Sequence, residues 1–279
     1  MRFGFDMFGF ALMPLVLLVE AAEPPEGSAS RADVPSAATT SAPGSVYQLQ
    51  PWMDGLLLAS TTAAWVVLEA EGPSWVTPHC PCAAADVPSF DRVALHWQSA
   101  AADTASTITE VLALLAPIAM DLVDVGLSQA FLEDMVVYGE VLSISETLTA
   151  AAKYSFQRPR PYVYATTSTA VLHSPASYTS FLSGHASITF GALTTLAMTE
   201  SFRHGPTLWP WLVVAVLGTS VAVERVLAGQ HFPSDVLAGA ALGVGTGALV
   251  PLFHLRPAVP QVALVLRPGG GELELSCLW

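Results

Sequence analysis

Charge is what this sequence lacks most. Only 12% of its 279 residues are charged, about half of the roughly 25% usual for a soluble domain. Basic residues are the scarcest, with 10 Lys and Arg against 23 Asp and Glu and a formal net charge of −13. That balance excludes a nucleic-acid binder working by bulk charge. Three cysteines, Cys80, Cys82 and Cys277, are too few for a disulfide scaffold. From about residue 50 to 255 no stretch alternates like a strand, and no internal repeat shows. Against these absences stand a 52% hydrophobic composition and a mean hydropathy of +0.52. Disorder over most of the chain is thereby excluded. The composition describes a largely helical, apolar protein in a membrane or beside one.

Residues 1–21 combine Arg2, an apolar stretch from Met7 to Val19 and small residues near Ala21. They read as a secretory signal peptide or an uncleaved N-terminal anchor. Residues 22–48 are rich in Ala, Ser, Pro, Thr and Gly without apolar period, the composition of a flexible linker. A helical domain is expected over 49–257 and a small β-hairpin tail over 258–279, turning at Pro268-Gly269-Gly270-Gly271. Six helices are expected in the domain: Gly55–Glu69 after Asp54, Thr107–Leu127, Gln129–Lys153, Ala186–Arg203, Trp209–Leu227 and Ser234–His254, the last capped by Ser234. The second and third read as an antiparallel pair. They carry Glu110, Asp121, Asp124, Glu133, Asp134, Glu140 and Glu146, which are costly inside a bilayer. Whether the bundle spans the membrane or docks on it stays open.

Because cations are scarce, their placement is informative. Lys153, Arg158 and Arg160 fall within eight residues, and Arg225 precedes His231 by six. His185 follows Ser183 and Gly184 at a helix start, where backbone N–H groups can meet an anion. His231 and Asp235 are one helical turn apart, so Asp235 is expected to accept a hydrogen bond from one imidazole nitrogen and free the other to attack.

These patches resemble the type 2 phosphatidic acid phosphatase (PAP2) superfamily, which includes the vanadium haloperoxidases and bacterial class A acid phosphatases. Its first motif, Lys, six residues, Arg-Pro, is met by Lys153 and Arg160-Pro161. Its second, Pro-Ser-Gly-His, is met by Ser183-Gly184-His185 with Leu182 in place of Pro. Its third, Ser-Arg, five residues, His, three residues, Asp, is met by Arg225, His231 and Asp235 with Glu224 in place of Ser. The resemblance implies an all-α, six-helix PAP2-like bundle, membrane-embedded or membrane-associated. It implies that Lys153, Arg160, Ser183, Gly184 and Arg225 bind a phosphate group. His231 would be the nucleophile, His185 the proton donor and Asp235 the residue that orients His231. No metal and no other cofactor is implied. The expected activity is hydrolysis of a phosphate monoester or pyrophosphate through a phosphohistidine. The apolar body favours a lipid substrate, with a small phosphate ester as the soluble counterpart. A vanadate-dependent haloperoxidase and a non-catalytic membrane scaffold with a relic pocket are the competing readings.

Outside the motifs, Tyr162–Phe181 is a candidate substrate mouth. His79, Cys80 and Cys82 have the wrong spacing for a zinc site, and a structural disulfide involving one of them or Cys277 is expected instead, with Asp91-Arg92 following. Export is expected, with the active site facing the periplasm. If residues 1–21 are a signal and all six helices cross, that orientation fails, so fewer than six are expected to span.

Overall fold

A computed structural model describes residues 44–256 in full, together with the backbone of two strands beyond them. The residues expected to form the signal or anchor and nearly all of the linker lie outside the described residues. Seven α-helices occur among the described residues: α1 (Pro51–Trp75), α2 (Ala100–Asp124), α3 (Gln129–Phe156), α4 (Thr169–Leu172), α5 (Gly184–His204), α6 (Trp209–Leu227) and α7 (Pro233–His254). That is one more than the sequence pattern gave. The addition, α4, is a single turn inside the polar loop, too short for any apolar period to reveal. Strands β1 (Pro260–Arg267) and β2 (Gly270–Cys277) pair antiparallel.

Local chemistry sets the helix ends. Ser99, Ser128 and Ser183 each accept a backbone N–H of the following turn, from Ala102, Phe131 and Ala186, and so cap α2, α3 and α5. The cap at Ser99 starts α2 seven residues before the apolar pattern does. Ser234 does not cap α7. That helix begins at Pro233 with Phe232 outside it, and the Asp235 carboxylate accepts the Phe232 N–H at 2.9 Å.

The centre of the bundle is α5, which packs against α2, α3, α6 and α7. Its closest partner is α7, and the cause is a stripe of glycine on α7. Gly239, Gly243 and Gly247 are four residues apart and face α5. A Cβ at these positions would lie 2.5 Å from Ser183 O, 2.1 Å from Ser187 O and 2.6 Å from Gly191 O. Only hydrogen fits there, so the two backbones touch. The expected antiparallel pairing of α2 with α3 does not form along their length. A tight joint connects them, but α2 turns away to pack on α5 and α6, while α3 takes α1, α5 and α7.

Helix α1 packs almost entirely on α3 and is apolar around most of its surface, with Trp52, Leu56, Val67 and Trp75 exposed. Among the described residues four helices, α1, α2, α6 and α7, are long and apolar enough to cross a membrane, and they mark a membrane protein. Helix α2 qualifies despite its carboxylates because Asp103, Asp121 and Asp124 sit near its ends. Two of these, with Asp134 of α3, turn inward. Asp121, Asp124 and Asp134 surround Arg203, whose side chain is 1% exposed, with Asp121 at 3.2 Å and Asp124 at 3.0 Å. Three of the seven carboxylates that weighed against a bilayer are therefore folded around one cation at the bundle end opposite Lys153.

At that same end Tyr47 pairs with Leu255 in an isolated β-bridge, and Gln48 N donates to His254 O at 2.8 Å. Tyr47 is fully buried, packs with Val137, Val141 and Val250, and bonds Thr199 through its hydroxyl at 2.7 Å. The folded unit thus already includes Ser45–Gln48.

The stripe makes a paired prediction. Gly243→Ala should lower the stability of the purified protein by about 1–3 kcal/mol, the usual cost of overpacking. Gly245→Ala, whose Cβ would meet nothing within 4 Å, should be neutral or mildly stabilising. Thermal unfolding in detergent measures both, and equal effects would contradict the packing described.

Candidate active site

All eight motif residues gather at one end of the bundle. Lys153 is in the last turn of α3, Arg160 follows it, Ser183, Gly184 and His185 open α5, Arg225 closes α6, and His231 and Asp235 lead into α7. The N-termini of α5 and α7 are tied directly, since Ser183 N donates to Asp235 O at 3.2 Å. A Cβ on Gly184 would be 3.5 Å from Lys153 Nζ, so the one lysine of the chain reaches the backbone of the Ser183-Gly184 turn.

Each arginine is held by specific acceptors. Arg160 donates to Ala176 O at 2.9 Å and Gln230 Oε1 at 2.7 Å. Arg225 donates to Asp103 at 2.7 Å and to Ser106 at 3.2 Å, both on α2. His185 Nε2 lies 3.4 Å from Glu110 Oε2, also on α2. Helix α2 carries no motif, yet three of its side chains brace the site.

The orientation of His231 differs from expectation. Its Nδ1 sits 2.7 Å from Ser180 O. A carbonyl only accepts, so Nδ1 carries the hydrogen and Nε2 keeps its lone pair. Asp235 lies 4.0 Å from Nδ1 and is engaged elsewhere. One carboxylate oxygen pairs with Arg158, and the other accepts from Ser180 Oγ at 2.5 Å and from Phe232 N. Asp235 therefore positions the histidine through Ser180, one residue removed. The physical reason is the competitor: a guanidinium sits close enough to take the carboxylate.

Arg158 is the residue whose role the sequence left unassigned. Besides Asp235 it donates to Asp91 at 2.7 Å and to Ser234 Oγ at 2.7 Å, and its guanidinium stacks 4.2 Å from the Phe232 ring centroid. Asp91 also accepts from Ser234 N and Oγ. Burial pushes the Asp91 pKa up, but the bonds from Arg158 and Ser234 outweigh it and hold the group below the usual carboxylate range. The repeated Arg-Pro of 158–161 was the available signal, but nothing in the sequence tied Asp91 to it. Arg92 itself bonds Val87 O and Ala85 O.

Glu224, in the Ser place of the third motif, turns back along α6 to accept from Ser220 at 3.1 Å. Cys80 and Cys82 form a disulfide; Cys277 lies among residues whose side chains are not described. In the Tyr162–Phe181 loop, Tyr178 is fully buried, bonding Leu172 O and the Cys80 N–H. Phe181, with His79, Phe156 and Pro159, lines a cleft of about 330 Å³ beside Arg158.

Electrostatics bind these parts into one site. His231 is driven well below its ordinary pKa first by burial, then by Arg160, Arg225 and His185, with the Ser180 bond opposing. His185 is lowered by burial, Arg225, Lys153 and Arg160 in that order. Two neutral imidazoles thus face three cations at paired helix N-termini, an arrangement suited to a multiply charged anion.

The chain is similar to several known proteins. Residues 134–257 match the family model of the PAP2 superfamily. An undecaprenyl-diphosphatase of Sulfolobus acidocaldarius is 31% identical over 100 residues, 36% of this chain and 45% of that protein. The undecaprenyl-diphosphatase BcrC of Bacillus subtilis is 33% identical over 109 residues, 38% of this chain and 52% of that protein. The chain spans about half the length of the curated relatives it matches. Among solved structures, LpxE of Aquifex aeolicus superposes with a TM-score of 0.43 at 23% identity, over 62% of this chain and 100% of that one. The transmembrane PAP2-type phosphatidylglycerolphosphate phosphatase of Bacillus subtilis gives a TM-score of 0.43 at 19% identity, over 74% and 96%.

The depressed histidines carry a pH signature. Below about pH 6.5 the unfolded chain binds protons that the folded site refuses, so stability should fall as pH falls. The slope is at most about 1.4 kcal/mol per pH unit for His231, and smaller for the partly exposed His185. Unfolding midpoints measured from pH 7.5 to 5 should show a shallower slope in His231→Asn than in the parent. An unchanged slope would contradict a neutral buried His231.

Proposed function

We propose that this chain, which carries a PAP2 superfamily domain over residues 134–257, is a membrane phosphatase that hydrolyses a phosphate monoester or diphosphate borne by a lipid. One observation carries the reading: Lys153, Arg160 and Arg225 surround two neutral histidines, one of which has its Nε2 freed by the bond from Nδ1 to Ser180.

In this reading Lys153, Arg160 and Arg225 hold the nonbridging oxygens, joined by the Ser183 hydroxyl and the Gly184 N–H. His231 Nε2 attacks phosphorus, and the bond to the leaving oxygen breaks as His185 gives that oxygen its proton. His185 is neutral in the free site; the negative charge of the bound phosphate offsets the three cations and raises its proton affinity. Water then attacks phosphorus and the P–N bond breaks. The proton of that water returns to His185, and phosphate leaves. Asp235 and Arg158 keep Ser180, and through it His231, in place. No step draws on a metal.

A polyprenyl diphosphate is the favoured substrate. The names of both curated relatives support it, as does the aromatic cleft of Phe156 and Phe181 beside Arg158, which offers an apolar chain a path out of the bilayer. His231→Ala should abolish turnover and any acid-labile phosphoprotein. His185→Ala should slow lipid substrates far more than an aryl phosphate, whose leaving group needs no proton. Phosphate release from polyprenyl diphosphate, phosphatidic acid and an aryl phosphate tests all of this without added vanadate. Near-normal activity of His231→Ala would overturn the mechanism.

The site end is proposed to face outward. The Cys80–Cys82 disulfide, bonded through the Cys80 N–H to Tyr178 on that side, suits an oxidising compartment. Tyr47 and Leu255, at the other end, would then be cytoplasmic, which is at odds with a cleaved signal ahead of Tyr47. Green fluorescent protein fused after Arg256 should therefore fluoresce in a bacterial host. A dark fusion at normal expression would reverse the orientation.

A further inference from the structure

At the bundle end away from His231, three side chains from three helices converge. Asp54 lies in the first turn of α1, Glu140 midway along α3, and His254 at the end of α7. His254 Nε2 is 3.4 Å from Asp54 Oδ1 and 3.3 Å from Glu140 Oε2. One ligand atom from each residue lies within 4.8 Å of the other two. Glu140 is fully buried, and neither of its oxygens accepts a hydrogen bond. Among the described residues, no Lys or Arg forms an ion pair with Asp54 or Glu140.

The imidazole is set up in a particular way. His254 Nδ1 is 2.9 Å from Val250 O, one turn back on α7. As at His231, the carbonyl fixes the hydrogen on Nδ1, so in the neutral ring Nε2 presents a lone pair to two carboxylates. Three electron-rich atoms pointing at one another need something positive between them. A proton on Nε2 would serve Asp54, whose oxygen is the one in hydrogen-bonding geometry, and would leave Glu140 without a donor. A divalent cation satisfies all three. Both distances from Nε2 fit: ligand atoms about 2.0–2.1 Å from a tetrahedral ion lie about 3.3–3.4 Å apart. The donor set, one imidazole nitrogen and two carboxylate oxygens, favours zinc and its transition-metal neighbours over magnesium or calcium.

We propose that Asp54, Glu140 and His254 bind a divalent transition-metal ion of the zinc class. Its place is structural. It joins the start of α1 and the end of α7 to the middle of α3, far from the phosphate cradle, and it stands independently of the reading of that cradle. The residues are separated by 86 and 114 positions in the chain, so no spacing motif announces the site. Asp124, Glu200 and His204 form a second cluster of similar composition. There Asp124 is already paired with Arg203 and His204 is exposed, so that cluster serves as the control.

The test uses the full chain purified in detergent, stripped with chelator and titrated with Co2+. One equivalent should bind with the strong visible bands of a tetrahedral site, and Zn2+ should displace it. Glu140→Gln, which keeps shape and removes charge, should abolish the bands, as should His254→Gln; His204→Gln should retain them. Zn2+ should raise the unfolding temperature of the parent and not of Glu140→Gln. If Glu140→Gln does not fold, the partly exposed His254→Gln carries the same comparison. The proposal fails if the parent binds no Co2+ in stoichiometric excess, if both variants bind as the parent does, or if the bands vanish with His204→Gln and persist with His254→Gln.

Discussion

The backbone contact between α5 and α7 is the constraint on which the rest of this structure depends. Three glycines on α7 let its main chain lie against Ser183, Ser187 and Gly191 of α5. That contact fixes the register of two helix N-termini, and the bond from Ser183 N to Asp235 O completes it. His185 starts one of these helices and His231 precedes the other, so their approach follows from how closely the helices can pack. A side chain of even one carbon would separate the two histidines.

The second governing feature is the economy of charge. With 10 basic residues in the chain, nearly every cation at the site end has an assigned partner. Arg158 neutralises Asp235 and Asp91, and Arg225 rests on Asp103 and Ser106, while Arg203 gathers three aspartates at the far end. Lys153 is the least committed of the site cations, its nearest carboxylate being Glu69 at 4.0 Å. A buried charge left without a partner is strongly destabilising. Three of the carboxylates that seemed incompatible with a bilayer, Asp121, Asp124 and Asp134, are the counter-ions that make Arg203 tolerable.

Much of the site was legible in the sequence because its residues cluster locally. Lys153 to Arg160, Ser183 to His185 and Arg225 to Asp235 each fall within about three helical turns, and helix period and turn chemistry place such groups well. What escaped was long-range. Asp91 reaches Arg158 across 67 positions, Asp103 reaches Arg225 across 122, and Ser180 takes the imidazole bond assigned to Asp235. Spacing of i, i+4 makes a histidine–aspartate contact possible but cannot exclude a stronger competitor for the carboxylate. The fold shows the same division. The apolar period located the long helices, while their partners, such as α2 on α6 instead of α3, depend on surfaces that periodicity does not rank.

The order in which the chain is made acquires meaning from α7. Helix α1 emerges first, and its nearly uniform apolar surface lets it rest in lipid until α3 exists to receive it. The glycine-striped helix emerges last of the six long ones, bringing Asp235 and the loop that holds His231. Until it seats on α5, His185 and the cations around it have no second histidine beside them. A ribosome stalled anywhere upstream leaves this cluster incomplete, so its assembly is a single late event, when synthesis of the helical body is complete.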